Sequence, residues 1–153
     1  DYFEATIRKA AIDANIPILG ICRGAQLNCA LGGGKLWQHV VGHGKAHDVR
    51  LNVGINDQFP ANSTVIATST HHQMMRPSKD MVLVAEADQC LSKTYMDDLG
   101  EHDNISTEAE IVFDPDSKAL MIQGHPEYLK KNSVFSQLAF TLIKRYLGVN
   151  CNV

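Results

Sequence analysis

The stretch that decides the fold is PILGICRGAQLNCALGGG, residues 17–34. Its apolar run at 18–21 is typical of a short strand that is buried on both faces of a sheet. Residues 24–31 then favour a helix, and the three glycines at 32–34 match the way helices end. A buried strand, a tight turn and a helix in this order predict an α/β unit.

Hydrophobic patterning predicts further elements on both sides of this unit. An amphipathic helix is expected over 2–14, with Asp1 as its N-cap and Asn15 as its stop. A closing helix is expected to present Phe135 to Tyr146 on one face and to run into Gly148. Between the helices we predict strands at 49–53, 63–69, 81–87, 108–113 and 119–124, the last two forming a hairpin around DPDSK.

Composition limits the classes of function. With 153 residues, 44% apolar and 20% charged residues and a net charge of -3, the chain has the profile of one soluble globular domain. The charge gives no support to a nucleic-acid partner, and no apolar run is long enough for a membrane span, so a cytoplasmic location is the default expectation. The four cysteines are scattered and form no CxxC pair, so we predict neither a disulfide framework nor a zinc site, and no cofactor.

Gly20-Ile21-Cys22-Arg23-Gly24 has the form G-x-C-x-G, the cysteine counterpart of the nucleophile elbow. In such an elbow, small residues two before and two after the nucleophile relieve crowding at the sharp turn. The N-terminal end of the following helix also favours a thiolate. The alternative interpretation is a buried structural cysteine that ends a strand.

A cysteine nucleophile needs a base, and Gln123-Gly124-His125-Pro126-Glu127 supplies a candidate. His125 follows an apolar strand and therefore lies at a strand end, as Cys22 does. Pro126 favours extended backbone at His125, which predicts that the side chains of His125 and Glu127 lie on the same side. Alone, H-P-E is also compatible with an ordinary surface turn.

Together, G-I-C-R-G-A-Q and Q-G-H-P-E-Y resemble the class I glutamine amidotransferase family, whose triad is Cys, His and Glu. The segment Ser69-Thr70-His71-His72-Gln73 further resembles the S-x-H-H-Q segment of the branch that hydrolyses γ-glutamyl-γ-aminobutyrate, of the peptidase C26 type. The resemblance covers nearly the whole chain. It implies a flavodoxin-like three-layer α/β sandwich with a mostly parallel central sheet and an inserted antiparallel β region.

The resemblance also implies roles for individual residues. Cys22 would attack the γ-glutamyl amide and form a thioester, His125 would act as acid and base, and Glu127 would orient His125. The backbone N–H of Arg23 would hold the oxyanion. The residues implied in substrate binding are Gly20, Gln26, Thr70 and His71.

The chain departs from the family pattern at its start. The first strands of the sheet, and the glycine-containing loop that supplies a second oxyanion donor, have no counterpart in residues 1–153. We therefore expect 1–153 to be the later part of a longer glutamine amidotransferase-like domain.

Several alternatives remain open from the sequence. The chain could be a stand-alone hydrolase of a small γ-glutamyl substrate, a glutaminase that delivers ammonia to a separate synthetase chain, a non-catalytic relative, or a peptidase or redox sensor that uses the same cysteine. His39, His43 and His47 have helical metal-ligand spacing, but Gly42 and Gly44 argue against a helix there. His71 and His72 have no carboxylate nearby in sequence, so no metal site is predicted.

Overall fold

The computed structural model describes residues 2–150, so the predicted N-cap Asp1 lies outside the described part. The predicted helices and strands are confirmed to within a few residues, and five short strands are added to them. In chain order the helices and strands are α1 Tyr2–Asp13, β1 Ile18–Ile21, α2 Arg23–Leu31, β2 Lys35–Trp37, β3 His39–Val40, β4 His47–Leu51, β5 Thr64–Ala67, β6 Met74–Arg76, β7 Val82–Ala87, β8 Tyr95–Asp97, β9 Gly100–His102, β10 Ala109–Asp114, β11 Ala119–Ile122 and α3 Val134–Leu142. A 3-10 turn at Pro126–Tyr128 precedes α3, and a π-helical turn at Ile143–Leu147 follows it.

The central sheet has the strand order β1-β11-β10-β7-β4-β5. Its one parallel pair among the described strands joins β1 to β11, with Ile18 opposite Ala119 and Ile21 opposite Ile122. The other pairs along this order are antiparallel, including the predicted hairpin of β10 and β11. Most of the described sheet is therefore antiparallel, as expected for the inserted region. Of the mostly parallel pairing expected for the central sheet, residues 2–150 contain only the pair of β1 and β11.

The sheet lies between two helical layers, as expected for the α/β sandwich. On β11, Leu120 and Ile122 belong to the core under α3, whereas Met121 belongs to the core under α2. Successive strand residues point to opposite faces, so β11 is apolar throughout because both of its faces are covered. The cluster under α3 includes Phe135, Leu138 and Leu142, and the cluster under α2 includes Ala25 and Cys29.

Two further segments lie outside the central sheet. The acidic segment 97–103 contains the β8–β9 hairpin, and Arg76 and His102 both bond the Asp97 carboxylate. The helix predicted over 2–14 is present and ends before Asn15, which has φ 57°, but no residue of α1 is buried among the described residues. Residues 2–150 contain no helix with the length and apolar character that a membrane crossing requires.

Candidate active site

Cys22 lies at the turn between β1 and α2 in a backbone conformation that non-glycine residues rarely adopt. Its φ is 50° and its ψ is -109°. The Cys22 N–H donates to the carbonyl of Ile122 at 2.8 Å, and the Cys22 carbonyl accepts from the N–H of Gln26 at 3.1 Å. Strained backbone that the surrounding structure imposes is a feature of functional sites, and this turn has the geometry that a nucleophile elbow requires.

The two glycines of the elbow differ. A Cβ on Gly20 would lie 2.7 Å from the carbonyl oxygen of Gly24, so only glycine fits between β1 and the start of α2. A Cβ on Gly24 would meet no described atom within 4 Å. The predicted crowding is therefore present at Gly20, whereas at Gly24 no contact within residues 2–150 accounts for the glycine.

The Cys22 thiol is half-buried against polar groups. Contrary to the expectation that the elbow favours a thiolate, burial raises the pKa of the Cys22 thiol, and the negative charge of Glu127 adds to the rise. The backbone N–H of Arg23 and the side-chain amide of Gln123, whose Nε2 lies 3.8 Å from Sγ, oppose that rise by favouring the thiolate. The N–H of Arg23 therefore lies close to the Cys22 thiol, and its role in holding the oxyanion stays a prediction.

His125 and Glu127 are held together at the end of β11. His125 Nδ1 and Glu127 Oε1 are 2.7 Å apart, and the His125 ring stacks on Tyr128 at 4.4 Å. His125 is outside the helical region, with φ -112° and ψ 80°, but the residues after it form a 3-10 turn instead of extended chain. The two side chains therefore meet as expected, by a tighter backbone path. No hydrogen bond joins Cys22 to His125 within residues 2–150.

The loop before β6 lies against the His125 turn. Thr68 Oγ1 accepts a hydrogen bond from the His125 N–H at 2.8 Å. A Cβ on Gly124 would lie 2.6 Å from the Thr68 carbonyl oxygen and 2.9 Å from the ring of Phe135. The glycine of Q-G-H-P-E is thus explained by close packing on both sides of the strand end.

The residues predicted to bind substrate are placed differently from one another. Gln26 is buried, and its Nε2 donates to the carbonyl of Gln73 at 2.8 Å and to Gln123 Oε1 at 3.2 Å. Thr70 is exposed, whereas the side chain of His71 is buried and faces Glu110. A cleft of about 230 Å³ beside the elbow is lined by Arg23, Gln26, Leu27, Leu36, Gln38 and Gln73.

Gln123 is the residue that the sequence did not single out. It is fully buried, donates to the Cys22 thiol and accepts from Gln26, so it connects the elbow to the amide that holds the 68–73 loop. Its position immediately before Gly124 in the histidine motif is the only signal in the sequence. Buried position and two side-chain contacts indicate that Gln123 positions the thiol.

The raised pKa of Cys22 predicts how the free protein reacts with alkylating agents. A thiol with a raised pKa gives less thiolate at neutral pH, so the rate of Cys22 alkylation by iodoacetamide at pH 7 should be below that of an ordinary cysteine and rise with pH beyond about 8.5. The measurement is a pH series of alkylation rates at the Cys22 peptide. A rate that is already maximal at pH 6 would show a lowered pKa and contradict this prediction.

Comparison with known proteins agrees with this geometry. The peptidase C26 family model matches residues 1–127. A glutamine amidotransferase-like protein of Rickettsia prowazekii is 28% identical, and its alignment covers 94% of this chain and 65% of the relative, so the chain spans just under two thirds of that protein's length.

Solved structures share the fold. A glutamine amidotransferase of Thermotoga maritima aligns with a TM-score of 0.65 and 14% identity, covering 97% of this chain and 70% of that one. The glutaminase domain of Trypanosoma brucei CTPS, solved with bound acivicin, aligns with a TM-score of 0.60 and 14% identity. This alignment covers 98% of this chain and 67% of that one. The match of the family model over most of the length shows that the chain belongs to the peptidase C26 family of class I glutamine amidotransferase-like proteins.

Proposed function

We propose that this protein cleaves the γ-glutamyl amide of glutamine or of a γ-glutamyl amine through a thioester on Cys22. The observation that carries the proposal is the conformation of Cys22, a strained residue at a strand-to-helix turn whose thiol faces the N–H of Arg23. The names of the relatives support glutamine as the class of substrate.

The proposed reaction has two halves. Cys22 Sγ attacks the amide carbon while His125 takes the thiol proton and delivers it to the departing nitrogen, which leaves as ammonia or an amine. His125 then removes a proton from water as the water oxygen attacks the thioester carbon. The C–S bond breaks, the glutamyl γ-carboxyl group is released, and His125 returns the proton to Sγ, which restores the Cys22 thiol. The N–H of Arg23 stabilises the oxyanion in both halves.

Recognition of the glutamyl group is proposed to use the cleft beside the elbow. Gln26 lines this cleft while its Nε2 holds the carbonyl of Gln73, so it both borders the substrate and fixes the 68–73 loop. Thr70 is exposed on that loop and is available to a carboxylate or ammonium group. The side chain of His71 is buried and its N–H donates to the carbonyl of His43 at 3.2 Å, so its contact with substrate is proposed to use its backbone carbonyl. Gly20 contributes by the absence of a side chain.

Glu127 is proposed to be a positioning residue, which acts through His125. Glu127→Gln keeps a hydrogen-bond acceptor but removes the charge that stabilises protonated His125, so we expect kcat to fall about 100-fold with little change in KM. Glu101→Gln, which changes an exposed glutamate on β9, is the matched control. Equal losses in both variants, or a change confined to KM, would contradict the role.

A second candidate is a glutaminase that passes ammonia to a separate synthetase chain. The likeness to the glutaminase domain of Trypanosoma brucei CTPS favours it, whereas the S-x-H-H-Q resemblance favours the stand-alone hydrolase. The test compares turnover of glutamine with that of γ-glutamyl-γ-aminobutyrate by the complete protein. Faster cleavage of γ-glutamyl-γ-aminobutyrate than of glutamine supports the hydrolase. Slow glutamine turnover that increases when a synthetase chain is added supports the glutaminase.

The same assay tests the non-catalytic alternative. All three predicted triad residues, Cys22, His125 and Glu127, are present, and the latter two are in direct contact. If neither substrate is cleaved and no thioester forms on Cys22, the protein is a binding relative and the proposal is wrong.

A further inference from the structure

A buried cluster of histidines and glutamates lies where three distant segments converge. His43 is in the turn between β3 and β4, His47 begins β4, and His71 is in the loop before β6. Glu108 and Glu110 come from the start of β10. The side chains of all five are 8% exposed or less, so this is an interior cluster of ionisable groups.

Three ring nitrogens surround a single carboxylate oxygen. From Glu110 Oε1, His43 Nδ1 is 3.2 Å away, His47 Nε2 is 3.1 Å away and His71 Nε2 is 3.4 Å away. In a tetrahedral zinc site with bonds of about 2.0–2.1 Å, neighbouring ligand atoms are about 3.3 Å apart, which is close to the distances from Glu110 to His43 and His71. His43, His71 and Glu110 each offer one ligand atom, and these three atoms lie within 4.8 Å of one another, whereas His47 is not part of this group.

Among the three nitrogens near Glu110 Oε1, hydrogen bonding satisfies only that of His47, whose Nε2 is hydrogen-bonded to this oxygen. His43 Nδ1, His43 Nε2, His71 Nε2 and Glu110 Oε2 are fully buried and have no hydrogen-bond partner among the described residues. Buried polar atoms without a partner are rare because desolvation is costly. Donor atoms that are near one another but misaligned for hydrogen bonds are oriented toward a common point between them.

The second nitrogen of each ring lies near an acceptor. His43 Nε2 is 3.1 Å from Glu108 Oε2, a close contact that is not aligned as a hydrogen bond. In His47 and His71 a backbone carbonyl two residues away lies 3.1 Å and 2.9 Å from Nδ1. Histidines that bind metals almost always donate their other N–H to a carboxylate or a carbonyl, which leaves the lone pair of the first nitrogen free for the metal.

We propose that His43, His71 and Glu110 bind one zinc-type divalent cation, with Glu108 as the outer partner of His43 and His47 as the outer partner of Glu110. Two imidazoles and one carboxylate are a donor set that suits zinc, and a divalent ion with the two glutamates gives a cluster without net charge. The site is structural, since it fastens the 68–73 loop to the turn before β4 and to β10. It does not depend on the proposed function.

The experiment titrates Co²⁺ into the complete, chelator-treated protein in a Cys22→Ser background, so that the reactive thiol does not bind the metal. We expect saturable binding of one ion with the strong visible absorption of four-coordinate Co²⁺, displaced by Zn²⁺. His43→Gln should weaken binding at least about 100-fold. His72→Gln, which changes the neighbouring exposed histidine, should leave binding unchanged.

Any of three other results would contradict the proposed metal site. Absence of saturable binding, a six-coordinate spectrum, or binding that is lost in His72→Gln but kept in His43→Gln would exclude this site. If His43→Gln does not fold, His71→Gln removes the other histidine ligand and takes its place. The spectrum of the Cys22→Ser protein decides the coordination number without any variant of the cluster.

Discussion

Replacing Cys22 with alanine is expected to lower kcat/KM for γ-glutamyl amide hydrolysis about 10⁴-fold or more. Hydrolases that work through a covalent intermediate lose activity on this scale when the nucleophile is removed, because the remaining groups only bind and polarise the substrate. The effect should be in kcat and not in KM. The measurement is steady-state release of glutamate by the complete protein.

The control for this prediction separates the chemistry from the fold. Cys90→Ala removes an exposed cysteine far from the elbow in sequence and should retain full activity. The Cys22→Ala protein should unfold as cooperatively as the parent, because alanine is smaller than cysteine and fits in the same space. Activity of Cys22→Ala within tenfold of the parent would contradict the nucleophile assignment.

Gly20→Ala is the second change with a large expected effect. The added Cβ would lie 2.7 Å and 2.8 Å from the carbonyl oxygen and carbon of Gly24 and 2.9 Å from the N of Ala25. All three atoms are backbone, so α2 must move away from β1. We expect a loss of about 1–3 kcal/mol in the free energy of unfolding. Displacement of the Cys22 thiol should also lower kcat about 100-fold.

Gly44→Ala is the matched control for Gly20→Ala. Gly44 is exposed in the turn before β4, its φ is not positive, and a Cβ there meets no described atom within 4 Å. Its unfolding free energy should stay within about 0.5 kcal/mol of the parent. Denaturant unfolding of both variants gives the comparison, and equal midpoints for Gly20→Ala and the parent would show that the elbow tolerates a side chain at Gly20.

The elements that the sequence predicted well are those with strong local signals. The apolar run at 18–21 and the turn DPDSK each determine their own structure, and they became β1 and the β10–β11 hairpin. The strands that were missed, such as β3 at His39–Val40, contain two or three residues each. Periodicity cannot be recognised over so few positions, and pairing with distant strands decides the conformation.

The residues of the candidate site also differ in how strongly the local sequence indicates them. The G-x-C-x-G and H-P-E motifs predict Cys22, His125 and Glu127 as catalytic residues because each motif is a local arrangement, and the roles of the three residues stay predictions. Gln123 carries no comparable signal, since its contact with Cys22 depends on the parallel pairing of β1 and β11. The contact between Gln123 and the Cys22 thiol can be recognised only when the ends of β1 and β11 are known to lie side by side.

The histidine cluster shows the same limit more strongly. Gly42 and Gly44 correctly excluded a helix at 39–47, but the spacing did not show that a turn brings His43 and His47 together. Glu110, the carboxylate that His71 contacts, is far away in sequence and reaches it through β10. Sequence proximity was therefore the wrong criterion for a carboxylate partner.

Peptide mass mapping after treatment with an electrophile that mimics glutamine would show whether Cys22 is the nucleophile. We predict one adduct, on the peptide that contains Cys22, formed in proportion to lost activity and prevented by excess glutamine. Cys29, buried and with its pKa raised to about 12, should remain unmodified. Preferential labelling of Cys29 or Cys90, or labelling of Cys22 that glutamine does not slow, would contradict the assignment of Cys22 as the thioester-forming residue.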